Sequence, residues 1–280
     1  MLVTALITIA VTIGIVLVLA IEAVRFFSEV SIVDFLTDTQ WTPLFTDKHY
    51  GILPLLSGTL LTSFIAIAVA LPIGLTISNN LSEYAPMRIR KTIKQLIEIN
   101  AAVTTILYGF FALIVVTPFL QDIIPNLSGF NSLSAGIVMG IMIIPYVSSL
   151  SEDDLHAVPG SLREASFGMG ATRLQTAFKV IVPAASSGII VSIILAISRA
   201  IGETMIVAIA AGQQPRLTFD PTVPVETITA YIVQVSLGDV QHGSIEYRTI
   251  FAAGITLFVF TFILNTLSYR IRKKFREKYE

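Results

Sequence analysis

The sequence predicts an all-α, polytopic membrane protein with six transmembrane helices and both termini on the cytoplasmic side. Three observations carry that prediction. The 280 residues are 54% hydrophobic and only 13% charged, with a mean hydropathy of +0.79, too apolar for an ordinary soluble domain of this length. Six stretches approach the ~20 apolar residues needed to cross a hydrocarbon core: 2–24, 55–79, 98–120, 133–150, 184–212 and 249–269. The basic residues give the orientation. Of 18 Lys and Arg, 13 lie in segments 80–97, 151–183 and 270–280, against Arg25, Lys48, Arg216 and Arg248 in the alternate segments. This is the positive-inside pattern, with Arg199 left over inside a span.

Taken in order, the first stretch lacks the basic n-region and small-x-small cleavage site of a secretory signal, and its apolar run is long, so an anchor helix is expected. The outer segment 25–54 carries Trp41, Phe45, Tyr50 and two prolines, a composition suited to the headgroup layer, although a plain amphipathic connector fits as well. The second, third, fourth and sixth spans follow from their apolar runs. No Ser/Gly linker, low-complexity tract or internal repeat interrupts the chain, which predicts one domain over 1–280.

Several function classes are excluded or disfavoured. With no cysteine, neither a disulfide framework nor a thiolate metal site can form. His49, His156 and His242 stand in separate polar loops without ligand spacing, so no metal or other cofactor is expected. No G-x-x-x-x-G-K-[ST] phosphate loop occurs, so ATP hydrolysis is not expected of this chain, and no His/Asp/Ser constellation at a common depth supports an intramembrane enzyme.

The segment Ser151 to Pro183 is too polar to insert and too helix-prone to be slack. Pro159 to Phe167 reads as a short helix ended by Gly168 and Gly170, and a second short helix carries Leu174, Ala177 and Phe178 on one side. On composition alone it is a hairpin that caps the bundle. Its motif spacing adds something: Glu164-Ala165-Ser166, then Gly170, then Val180-Ile181-Val182-Pro183 resembles the EAA loop of binding-protein-dependent ABC importers. The resemblance implies that 151–183 is the coupling element, with Glu164, Ala165 and Gly170 forming the surface that docks in a cleft of the ATP-binding subunit. Ser166, Val180 and Val182 are conservative departures from the usual motif.

Inside the fifth span stand Arg199 and Glu203. A charge at mid-membrane costs about 2.5–3.5 kcal/mol on insertion scales and by default faces a bundle interior or a watery path. Four residues apart on a helix, the two share a face and can pair. The structural alternative is a buried ion pair that fixes packing. The functional one is a path in which the arginine fork attracts an oxyanion and Glu203 orients it or accepts a hydrogen bond from the P–OH of hydrogenphosphate, which sulfate lacks. Ser57, Thr62, Ser63, Thr104 and Thr105 either line such a path or return hydrogen bonds to their own helices.

The run Ser198-Arg199-Ala200-Ile201-Gly202-Glu203-Thr204-Met205 is similar to the RAxGETM segment of PstC-type phosphate permeases. Further matches fall in the family's order: Gly58 to Ser63, Glu83-Tyr84-Ala85-Pro86, Tyr108-Gly109 and Ile144-Pro145-Tyr146. Thr104-Thr105 stands where the family commonly has Pro-Ser. The resemblance implies the ABC importer type I permease fold and a complex with a second, PstA-type permease subunit, two PstB-type ATP-binding subunits and an external, PstS-type phosphate-binding protein. The same class with sulfate or molybdate as cargo remains the nearest alternative, and a secondary transporter or channel the more distant one.

Overall fold

The longest apolar runs become the longest helices. The computed structural model describes residues 2–275; Arg276 and Lys278 of the basic tail lie outside them. In chain order the helices are α1 (Leu2–Phe27), α2 (Ile32–Thr37), α3 (Leu53–Glu83), α4 (Met87–Ala102) and α5 (Thr105–Phe111), the last continuing through a π segment into α6 (Thr117–Gln121). Then follow α7 (Ser132–His156), α8 (Gly160–Gly168), α9 (Arg173–Thr176), α10 (Val182–Ala184), α11 (Ser186–Ile201), α12 (Met205–Ala210), α13 (Ile228–Leu237) and α14 (Ile245–Phe275). Among the described residues the β structure is a single bridge between Trp41 and Tyr50.

Four of these helices are long and apolar enough to cross a membrane: Val3–Phe27, Leu53–Glu83, Ser132–His156 and Ile245–Ile271. The pair Arg173–Ala184 and Ser186–Ile201 qualifies as a fifth, bent by 72°, and Thr105–Gln121 is a shorter apolar rod. Two expected spans therefore differ from the observed elements. The third does not start at 98: α4 is a one-sided, basic helix that ends at Ala102, and extended backbone at Val103 and Thr104 turns the chain into α5. The Tyr108 hydroxyl bonds the carbonyl and the side-chain oxygen of Asn100 at 2.9 and 2.8 Å, bracing that corner. The fifth is interrupted at Gly202–Thr204.

α3 and α7 pack as the central pair. A β-carbon on Gly140 would lie 2.8 Å from the Ala66 carbonyl oxygen and from Val69 Cβ, so only glycine allows this backbone approach, the usual device where lipid supplies no hydrophobic drive between helices. Ala66, Ala70, Val138, Met139, Ile143 and Val147 fill the seam, with Ala196, Ala200, Ile206 and Val207 closing over it. By contrast, α1 runs beside α14 and turns apolar side chains such as Ile7, Val11 and Val18 outward, as a lipid-facing helix does.

A second apolar cluster seals the end of the bundle beside segment 28–52, and it overturns the expectation for Trp41. Rather than lying toward headgroups, Trp41 is buried (1% exposed), edge-on to Tyr231 at 5.0 Å and to Phe35 at 6.2 Å between ring centroids. Such aromatic pairs add about 0.5–1.5 kcal/mol beyond their buried area. Phe45, in contrast, is exposed. Packing won because Phe26, Phe35, Ile52 and Tyr231 form a ready apolar seat.

Candidate translocation site and coupling hairpin

The interruption of the fifth span is where the chemistry concentrates. α11 closes with Gly202 N–H to Ser198 O and Glu203 N–H to Ala200 O, both 3.2 Å. Gly202 is a poor helix residue, and the Glu203 side chain turns forward: its Oε1 accepts the Met205 N–H at 3.2 Å. The Glu203 carbonyl accepts the Thr229 hydroxyl at 2.7 Å, and Thr204 Oγ1 donates to the Gly202 carbonyl at 3.3 Å. Irregular backbone inside a membrane needs such partners, because lipid offers none. The segment bearing Thr229 is itself tied to α3, where the Ile228 N–H donates to Thr59 Oγ1 at 3.0 Å.

Arg199 and Glu203 do come together: Nη2 lies 3.8 Å from Oε2. The two ends differ sharply, since the Arg199 side chain is 50% exposed and that of Glu203 only 3%. The other Glu203 oxygen accepts the Met205 N–H at the break, and Arg199 lines a cleft of about 400 Å³. Thr105, Met142, Tyr146, Ser149 and Lys94 line the same cleft.

Sequence reasoning missed Lys94 as a site residue and used it only for orientation. Its Nζ lies 3.2 Å from Glu152 Oε2 and 3.5 Å from Asp153 Oδ1, while Arg90 pairs with the other Glu152 oxygen. Glu152 is buried on α7 and needs a cation from a neighbouring element, which the structure shows and the sequence pattern does not. Among the hydroxyls, Thr105 lines the cleft. Ser57 bonds the Pro54 and Arg216 carbonyls, and Thr62 bonds Gly58 of its own helix.

The expected loop starts later than Ser151, because α7 runs on to His156; the helical hairpin is α8 and α9, followed by a π segment over Ala177–Ile181. Thr172 and Gln175 make a reciprocal capping box at the start of α9, and Ser166 Oγ meets Thr176 Oγ1 at 2.9 Å across the hairpin. Gly170 has φ +82°, a left-handed conformation that costs glycine little. Glu164, Ala165 and Gly170 are all exposed, beside exposed Phe167, Met169, Leu174 and Phe178. The hairpin is footed on a small core of Leu155, Val158, Ile181, Ala185 and Ile189.

Several apolar helices of membrane-crossing length, one bundle with an interrupted polar span and an exposed helical hairpin define a multi-pass membrane protein of the permease class. Residues 87–277 match the family described as binding-protein-dependent transport system inner membrane component, and the chain belongs to that family. It is 33% identical over 265 residues to the probable ABC transporter permease protein YqgH of Bacillus subtilis, covering 94% of this chain and 85% of that one. It is also 33% identical to the phosphate transport system permease protein PstC of Mesorhizobium japonicum, covering 84% and 76% respectively. Among solved structures, a bacterial alginate ABC transporter in complex with alginate pentasaccharide-bound periplasmic protein matches with a TM-score of 0.64 at 17% identity. That match covers 96% of this chain and 94% of that one. A methionine ABC transporter, MetNI, in inward-facing form matches with a TM-score of 0.58 at 18% identity, over 81% and 95%. The fold is that of ABC importer type I permeases.

Proposed function

We propose that this chain is one permease subunit of an ATP-driven importer that carries inorganic phosphate across a bacterial cytoplasmic membrane. The observation that carries the reading is Arg199. It projects from an interrupted membrane helix into a cleft, with its carboxylate neighbour Glu203 tied down behind it. An arginine fork is matched to the oxygens of phosphate. Glu203 orients Arg199 or accepts a hydrogen bond from the P–OH that hydrogenphosphate still carries. The identity to PstC proteins of several organisms supports phosphate over other oxyanions.

In this reading residues 1–280 form one permease domain with both termini cytoplasmic, and 151–183 is the coupling loop. Glu164, Ala165 and Gly170 dock in a separate ATP-binding subunit, which performs the hydrolysis. The working complex contains a second permease subunit of PstA type, two ATP-binding subunits of PstB type and an external phosphate-binding protein of PstS type. Permease helices line the route, and conformational change driven by ATP at the hairpin alternates its access.

The test is ATP-dependent phosphate uptake in vesicles containing the full complex, comparing parent with Arg199→Gln while co-purification reports assembly. Lost uptake with assembly intact is expected. Retained uptake overturns the role of Arg199 and makes the ion pair structural.

A further inference from the structure

The cleft lined by Arg199 has a second cation in its lining, and the phosphate-importer reading does not use it. Lys94 reaches the cleft from α4, Arg199 from α11, and Thr105, Tyr146 and Ser149 add hydroxyls from α5 and α7. No carboxylate lines this cleft among the described residues. The remaining wall is apolar, supplied by residues such as Ile97, Val103 and Met142. Two cations on low-dielectric walls focus a positive potential on the space between them. At about 30 Å³ per liquid water, a cleft of about 400 Å³ admits a small oxyanion together with part of its hydration shell.

Lys94 is also placed to change partners. A narrow nook lined by Lys94, Ile97 and Ser149 leads to Arg90 and Glu152, so Lys94 stands on the boundary between the nook and the cleft. Glu152 has Arg90 on one oxygen and Lys94 on the other, and Asp153 is a weaker, exposed partner. When Lys94 swings away, Glu152 keeps Arg90 and is not left as an uncompensated buried charge. Lysine suits this role better than arginine, because its ammonium is a point charge on a flexible stem that donates in three directions.

We propose that the cleft between α4, α5, α7 and α11 is a transit site for phosphate inside the membrane, in which Lys94 leaves Glu152 to bind the anion together with Arg199. The site rests on the phosphate-importer reading and adds a binding residue and a partner exchange to it. Lys94 then passes the anion toward the hairpin side of the bundle, where Glu152 recaptures the ammonium and releases the cargo.

Because this chain contains no cysteine, Val103→Cys places a single thiol of this subunit in the cleft. The experiment follows labelling of that thiol by a charged thiol reagent in the assembled complex under turnover, with and without inorganic phosphate, alongside uptake of labelled phosphate. Phosphate slows labelling when residue 94 is Lys or in Lys94→Arg, and fails to slow it in Lys94→Gln. Uptake by Lys94→Gln falls about tenfold in maximal rate, the scale of one charge-assisted hydrogen bond. Glu152→Gln keeps the protection by phosphate, since Lys94 is then freer to face the cleft.

Protection by phosphate that persists in Lys94→Gln overturns the site, as does parental uptake in that variant. A loss in Glu152→Gln identical to that in Lys94→Gln overturns it too, because Lys94 then serves Glu152 alone. If the parent complex imports sulfate but no phosphate, both the importer reading and the phosphate site fall. A normal parent with an indifferent Lys94→Gln removes only the site.

Discussion

The guanidinium of Arg163 lies 3.0 Å from Glu83, joining the hairpin to the far end of α3. The same side chain donates to the Val158 and Leu155 carbonyls at 2.6 and 2.8 Å. One arginine thus fixes α8 against both α3 and the end of α7, so motion of the hairpin is passed to the central helix pair. Lysine cannot make this fork of contacts. Arg163→Lys is expected to loosen the hairpin by about 2 kcal/mol, the scale of hydrogen bonds to a charged group, speeding local proteolysis roughly thirtyfold. Limited proteolysis of the purified complex at 151–183 checks this; a parental cleavage rate rules out Arg163 as the tie.

Gly170 separates backbone geometry from bulk. A β-carbon there would meet nothing within 4 Å, so the constraint within this chain is the left-handed backbone, worth roughly 1–2 kcal/mol for a residue that resists it. Gly170→Asn is expected to keep most ATP-coupled uptake, since Asn tolerates this conformation. Gly170→Val leaves the protein inserted but uncouples transport from ATP. Normal uptake by the valine variant, measured in vesicles, counts against the hairpin as coupling element.

Glu203→Gln isolates the carboxylate's charge. The amide oxygen still accepts the Met205 N–H that Glu203 now accepts, so the interruption between α11 and α12 should survive. Phosphate uptake is expected to fall about tenfold relative to sulfate competition, the scale of one charge-assisted hydrogen bond. An unchanged phosphate-to-sulfate ratio in competition assays removes Glu203 from selectivity.

The segment 28–52 should respond to pH. His49 Nδ1 lies 2.8 Å from Asp38 Oδ2, with Asp47 at 3.6 Å from the other ring nitrogen. The hydrogen bond to Asp38 outweighs desolvation and raises the imidazole pKa above its ordinary value. A raised folded-state pKa means the stabilisation is complete below the unfolded value of about 6.5 and fades as pH climbs through the folded one. Protection of the Gln40 amide, which donates to Asp38 at 3.0 Å, should therefore fall as pH rises through the raised imidazole pKa, after correction for intrinsic exchange. In His49→Gln the profile should be flat; an unchanged profile in that variant removes His49 as the cause.

Continuous apolar runs were legible because membrane burial rewards nothing else: 55–79, 133–150 and 249–269 all fall within the observed α3, α7 and α14. Interruptions were harder to read. The apolar character of Ile97, Ile99 and Ala101 to Val103 runs on into the next span, yet extended backbone at Val103 and Thr104 separates two helices. Gly202, Glu203 and Thr204 look like three tolerated polar or small residues until their backbone partners on the segment bearing Thr229 are seen. The Arg199 and Glu203 approach was expected from helical spacing, although Glu203 lies just past the end of α11, whereas Lys94 required a contact across 58 residues of chain. Local pattern predicts the first kind of relationship and carries no signal for the second.

The chain holds one tryptophan, and Trp41 is sealed edge-on against Tyr231 beneath the outer segment. Its indole is therefore a built-in optical probe of that cover. Emission from this subunit is expected to be blue while the aromatic cluster stays packed, and to shift to the red when water reaches the ring. A stopped-flow trace of that colour change would time any entry of water into this cluster during transport, without attaching a dye.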